Sequence, residues 1–342
     1  MKAARYYGIE DIRFEELEKP SCLDDEVRIK VTYAGICGSD LHIYKKGMFI
    51  QNIPETMGHE FIGIIETVGK NVTKYKKGDA VTANPMVPCM ECESCKKGRF
   101  NTCEALGFIG EVRQGCYAQY LTMEQKKLIP IPVEVSNPIE DLKKYVLTEP
   151  LAVAVNVLRR ADFKREDKLA VLGAGPIGCL VIALAKQIYG VGSVTAVDLS
   201  AERLRFAAQA GADCCLADGE TLSHDYTSMV DCAGVSKTIA LAQEHIAADG
   251  KLCIVSIFEN AAAVDCNRIV EKQLRVIGCN VYAKEDLDTA VSLLMREEFQ
   301  IEFLITHVFS LAQCREAFAL LTNGEKTAQK VVFLTEASQR GG

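Results

Sequence analysis

The run Leu169-Ala-Val-Leu-Gly-Ala-Gly-Pro-Ile-Gly178 leaves this chain few ways to fold. Its first four residues read as a buried strand, and Gly173, Gly175 and Gly178 form a G-x-G-x-x-G turn that opens an apolar helix, Cys179–Tyr189. The next strand, Val194–Val197, ends on Asp198, twenty residues past Gly178. A strand, turn, helix and acid in this order describe a dinucleotide site. The glycines, with Pro176 and Ile177 between them, admit a pyrophosphate to the helix N-terminus, where unpaired N–H groups and the dipole favour an anion. A carboxylate at Asp198 accepts ribose hydroxyls and repels a 2′-phosphate, so the expected cofactor is NAD rather than NADP. The competing reading is a plain tight turn in an α/β protein.

The βα alternation continues from there. Helix Ala201–Ala210 has Ser200 as N-cap and Gly211 past its end, and a second helix is expected around Ser236–Ala247. Strands are expected near Cys214–Ala217, Met229–Cys232, Leu252–Ile257 and Leu274–Gly278. Six strands with helical crossovers make a doubly wound parallel sheet. The crossover at 218–228 is short and polar, and predicts a loop or single turn where parallel strands usually take a dozen or more residues.

With 342 residues the chain exceeds what one core comfortably organises, so a second domain is expected. Residues 26–33 alternate apolar and polar, Phe61–Val68 is β-branched and apolar, and short strands with glycine turns recur to about residue 133: a mostly β unit. Glu285–Glu298 has apolar residues at helical spacing, and Ser310 with Gln313 forms a capping box before Leu311–Leu321 and a strand at Lys330–Leu334.

Within the β unit, G-I-C-G-S-D-L-H at 35–42 and G-H-E-F at 58–61 gather Cys37, His59 and Glu60. Zinc takes such mixed sulfur, nitrogen and oxygen donors, and a catalytic site leaves one position open. Adjacent His59 and Glu60 can reach one ion only where the backbone bends. For this stretch alone, a buried cysteine beside a solvated His-Glu pair is the plain alternative. Further on, Cys89, Cys92, Cys95 and Cys103 are spaced C-x2-C-x2-C-x7-C in a polar loop. Four thiolates close a tetrahedral shell, which makes a structural zinc. An iron–sulfur cluster is the rival, but the bacterial ferredoxin run has a shorter last gap and a proline after its fourth cysteine.

Net charge is −7 with signs interspersed, which argues against nucleic-acid or anionic-membrane partners. The opening M-K-A-A-R-Y-Y-G-I-E has no apolar stretch of the signal-peptide kind, and the uncharged run at 169–185 is short for a membrane span and broken by glycine and proline. Fifteen cysteines, an odd number in a long chain, predict reduced thiols in a cytoplasm. Cys179, Cys232, Cys253 and Cys279 lie in apolar segments and act as small hydrophobes.

Together, C-G-S-D-L-H, G-H-E, the four-cysteine lobe, L-G-A-G-P-I-G and E-P-L-A-V at 149–153 resemble the zinc-containing medium-chain dehydrogenases over essentially the whole chain. The nearest branch is that of the sorbitol, butanediol and galactitol-phosphate dehydrogenases, with threonine dehydrogenase close by. The resemblance implies an α/β protein in which a GroES-like β-rich catalytic domain, residues 1–150 completed by 285–342, accompanies a Rossmann domain at 151–284, with the active site in the cleft. It implies two zinc ions per chain. It also makes Glu149 a further candidate ligand of the catalytic zinc, without deciding between Glu60 and Glu149. It casts Arg203 as an adenosine contact, Asp40 as orienting a ligand, and Ser39 with His42 as a proton relay. The reaction implied is NAD-dependent oxidation of a secondary alcohol in a polyol or vicinal diol, giving a ketose or ketone, by a cytoplasmic homo-oligomer, dimer or tetramer. Sugar-alcohol phosphates and L-threonine are the rival substrates, because Arg113 could pair a phosphate or a carboxylate. A catalytically idle nucleotide-binding relative is the rival of another class, and the complete ligand and relay set speaks against it. Two features depart from the family: the short 218–228 crossover, and residues 107–117, which match no single subfamily.

Overall fold

The computed structural model describes residues 1–217, 220–324 and 327–335. It has two compact units. One comprises Met1–Glu149 and the segment from Ile305 onward; the other is Pro150–Leu304.

The spine of the first unit is the strand Glu26–Gly35, in which Val27, Ile29 and Val31 are buried. It pairs antiparallel with Glu60–Val68, Tyr120–Glu124 and Lys330–Leu334. Ala80–Ala83 and Leu128–Pro130 extend the sheet on one side and Ile305–Ser310 on the other. Register fixes what meets at the end of the spine: Gly35 lies opposite Glu60 on one neighbour and Val332 on the other, and the Ile36 N–H donates to the Val331 carbonyl at 2.9 Å. Beneath lies a core that includes Phe61, Ile65, Tyr117, Phe318 and Phe333. Each such side chain stabilises the unit by about 1.5–3 kcal/mol relative to exposure. Directly past the spine the chain turns into the helix Gly38–Lys46, so Cys37, Ser39, Asp40 and His42 sit on a strand-to-helix corner.

The second unit is a six-stranded parallel sheet. Its order is Cys214–Leu216, Ser193–Val197, Lys168–Leu172, Tyr226–Asp231, Ile246–Ile254, Arg275–Gly278. Numbered along the chain this is 3-2-1-4-5-6, the doubly wound dinucleotide order. Ser200 caps the helix Ala201–Ala210 by accepting from the Arg203 N–H at 3.3 Å. In the crossover, Asp218 and Gly219 lie outside the described residues, and Glu220–Asp225 contain no helix. Leu222 is buried in the core cluster there and covers part of the sheet face that a helix would otherwise cover.

The boundary expected between residues 284 and 285 falls instead between Leu304 and Ile305. The helix Lys284–Leu294 stays with the nucleotide-type unit because Asp286 ties it there. Its carboxylate accepts the Ala283 N–H at 2.7 Å and pairs with Arg159 of the helix Thr148–Ala161 at 2.7 and 2.9 Å. Periodicity showed a buried face on this helix but not which unit it buries against.

Candidate active site

Cys37 Sγ, a ring nitrogen of His59 and a carboxylate oxygen of Glu60 lie within 4.8 Å of one another. The required backbone bend is at Gly58, whose φ of +92° belongs to the left-handed region that favours glycine. The strand begins only at Glu60, so the side chains of His59 and Glu60 need not point to opposite faces. Gly35 leaves the room for Glu60: a Cβ there would stand 2.2 Å from Glu60 Oε2.

Around these donors negative charge accumulates. Asp40 is fully enclosed, with Oδ2 accepting from the Cys37 N–H at 2.8 Å and the Tyr117 hydroxyl at 2.7 Å. Its Oδ1 is buried with no hydrogen-bond partner among the described residues and lies 4.0 Å from His59 Nδ1. Burial pushes the Asp40 carboxyl up, and the His59 charge pulls it back. Burial alone would push the His59 pKa down; Cys37, then Asp40 and Glu149, outweigh it and hold that pKa well above the ordinary value. Glu149 lies outside the 4.8 Å set, yet is buried and bears on both His59 and Lys330. A half-buried thiol with a buried imidazole and buried carboxylates, Lys330 pairing with Glu60, forms a donor set suited to a divalent cation.

The second cluster is Cys89, Cys92, Cys95 and Cys103, whose sulfurs also lie within 4.8 Å of one another. The loop already directs N–H groups at them: Cys89 N–H to Cys103 Sγ at 3.2 Å and Cys92 N–H to Cys89 Sγ at 3.4 Å. Backbone donors at Glu104 and Cys95 hold the Cys92 thiol down at about 6, while burial pushes Cys95 up to about 12. Four convergent sulfurs with backbone support fit a closed thiolate metal site.

In the second unit Gly175 caps the helix Pro176–Ala183, and a Cβ on it would meet nothing within 4 Å, so the turn is open on that side. Asp198 closes the turn from the neighbouring strand, accepting from the Ala174 N–H at 2.8 Å and the Ser200 N–H at 2.9 Å. Arg203 Nε is buried without a partner among the described residues. An open glycine turn, an acid at the strand end and an unpartnered guanidinium nitrogen suit a dinucleotide.

Two family models match the chain: the alcohol dehydrogenase GroES-like domain over residues 23–133 and zinc-binding dehydrogenase over residues 176–296. The (R,R)-butanediol dehydrogenase of Bacillus subtilis is 34% identical over 97% of this chain and 99% of its own length. The 2-dehydro-3-deoxy-L-galactonate 5-dehydrogenase of Pseudoalteromonas atlantica is 31% identical over 99% of this chain and 100% of its own. The chain belongs to the zinc-containing medium-chain alcohol and polyol dehydrogenases. This dehydrogenase also resembles the solved galactitol-1-phosphate dehydrogenase from Escherichia coli, with a TM-score of 0.88 and 30% identity, covering 98% of this chain and 100% of that one.

Three residues of the dehydrogenase's site escaped the sequence reading. Lys330 Nζ is buried, 2.7 Å from each Glu60 oxygen and 3.1 Å from the Ile36 carbonyl. Tyr117 spans the Gly35 carbonyl at 3.2 Å and Asp40. Glu111 is buried, and burial pushes its carboxyl up to about 7, with His59 pulling down and Asp40 pushing up. Arg113, which the sequence singled out, bears on Glu124 and Lys127. Ser39 and His42 stand half-buried one turn apart on the helix Gly38–Lys46. Among the described residues no helix is long and apolar enough to cross a membrane.

Proposed function

We propose that this dehydrogenase oxidises a secondary alcohol of a polyol or vicinal diol with NAD, giving a ketose or ketone. The observation that carries the reading is the convergence of Cys37, His59 and Glu60 at a buried, acid-rich corner. The polyol and diol substrates in the relatives' names support it.

Cys37 and His59, with Glu60 or Glu149, would hold a zinc ion that would supply Lewis acidity at the substrate oxygen, and the four cysteines would hold a second, structural ion. Gly173–Gly178, Asp198 and Arg203 would hold NAD, which would supply the hydride acceptor. The protein's own residues manage the proton. Ser39 accepts it from the alcohol, and His42, one turn along the same helix, passes it toward solvent. Asp40, fixed by Tyr117 and the Cys37 N–H, faces His59 and orients it. Asp198 favours NAD over NADP because a 2′-phosphate would meet its carboxylate.

A phosphorylated substrate would call on Arg113, whose charge bears on Glu124 and Lys127, whereas the charged side chain of that loop coupled to His59 is the acid Glu111. This favours an uncharged polyol. Fifteen unpaired thiols suit the reducing cytoplasm. The exposed edge strand Arg275–Gly278, with Val276 outward, suits a homo-oligomer, dimer or tetramer.

The test follows NADH formation with hexitols, 2,3-butanediol, sugar-alcohol phosphates and L-threonine. Turnover of hexitols or the diol is expected. Turnover confined to the phosphates, to threonine or to primary alcohols would defeat the proposal.

A further inference from the structure

The loop 107–117 is built against the residues that precede His59. Gly115 N–H donates to the Thr56 carbonyl at 2.7 Å, Cys116 N–H to Gly58 at 2.9 Å and Tyr117 N–H to Met57 at 2.9 Å. Phe108 packs its ring on the His59 imidazole, centroids 5.4 Å apart, and its N–H donates to Glu111 Oε2 at 3.1 Å. From the other side the Gln51 N–H holds the Glu111 carbonyl at 2.9 Å, and Asn52 Nδ2 holds the Val112 carbonyl at 3.0 Å. Glu111 is therefore fixed at both backbone and side chain. It is only 7% exposed, and its Oε1 has no hydrogen-bond partner among the described residues. The other charged groups that act on it are His59 and Asp40.

An acceptor oxygen that keeps a small opening, on a side chain otherwise held in place, can take a hydrogen bond from an arriving group. The nearby backbone donors of Phe108, Gly115, Cys116 and Tyr117 are already engaged. What fits an acceptor of this kind, on the loop that packs against His59, is a hydroxyl. An anion is repelled by the same charge. We infer that Glu111 is a specificity-determining residue that accepts a hydrogen bond from a substrate hydroxyl other than the one oxidised, and that it discriminates against phosphorylated and carboxylated substrates. This inference rests on the polyol reading above.

The experiment measures kcat/KM for 2,3-butanediol and for 2-butanol, which differ by one hydroxyl, and for sorbitol and its 6-phosphate. It uses wild type, Glu111→Gln and Glu111→Ala. In Glu111→Ala the diol-to-monoalcohol ratio should fall about tenfold, mainly through KM of the diol, and the phosphate-to-sorbitol ratio should rise. Glu111→Gln keeps shape and volume, so it separates a lost charge from lost packing; its phosphate-to-sorbitol ratio should rise as well. If both variants lose activity on diol and monoalcohol in equal proportion, or change neither ratio, Glu111 is only a structural residue and the inference is overturned. If wild type turns over no polyol or diol, the polyol reading itself fails and this inference with it.

Discussion

Both carboxylate oxygens of Glu60 lie 2.7 Å from the ammonium of Lys330, and both side chains are almost wholly buried. Burial alone would push the lysine pKa down; Glu60, with Cys37 and Glu149, outweighs it and raises it. A raised lysine pKa means that the pair's contribution is complete below the ordinary lysine value. It fades only as pH climbs through the raised one, so across the neutral range it stays constant.

Lys330→Met strands the Glu60 carboxylate. Breaking a buried pair costs about 3–5 kcal/mol, so a clear fall in Tm is expected, equal at every neutral pH tested. Lys330→Arg should recover part of it. Thermal unfolding of the metal-stripped proteins is the measurement, and an unchanged Tm in Lys330→Met would mean that the pair contributes nothing.

The proposed catalytic and structural metal sites predict separable losses. Cys95→Ser should retain one zinc per chain in place of two and lose thermal stability. Glu149→Ala should unfold near the wild-type temperature while turnover drops by about 10–100-fold. Elemental analysis beside calorimetry distinguishes them, and active wild-type protein without zinc would refute the assignment.

At the coenzyme site, the Asp198 carboxylate is the group that a 2′-phosphate would approach. Asp198→Ala should erode the NAD preference by about ten- to a hundredfold, the worth of one charged hydrogen bond. Equal kcat/KM for NAD and NADP in wild type would contradict this role.

For the relay, His42→Ala should slow alcohol oxidation most at acidic pH, by about a hundredfold, because hydroxide there is too scarce to replace the imidazole. The pH–rate profile decides; one parallel to wild type at every pH would return His42 to an ordinary helix position.

What could be read from sequence was what is local. Gly173 to Asp198 is one strand, turn, helix and strand, and each residue's neighbours lie within a few turns of it. The four lobe cysteines lie within one loop. Lys330 was invisible because its partner is 270 residues away and a lone lysine opening a strand looks like any solvated one. Only the register that places both Glu60 and Val332 opposite Gly35 brings them together. Glu111 was hidden by Arg113, two residues on, since a cation in a loop beside a candidate site suggests a ligand more readily than an acid does. The helix Lys284–Leu294 carried its amphipathic pattern openly, but Arg159, which anchors it, precedes the whole sheet.

The first unit is interrupted by the second, and this sets an order of events at the ribosome. Cys37, His59 and Glu60 emerge early, while the lysine that neutralises Glu60 is made 270 residues later, roughly fifteen to fifty seconds at ordinary elongation rates. Throughout that interval Pro150–Leu304 is synthesised and can fold as its own unit. Until Lys330 is made, the acids and thiol of this corner lack the ammonium that pairs with Glu60 in the finished chain. A cation able to hold Glu60 in place of that ammonium would therefore meet this corner before the lysine does.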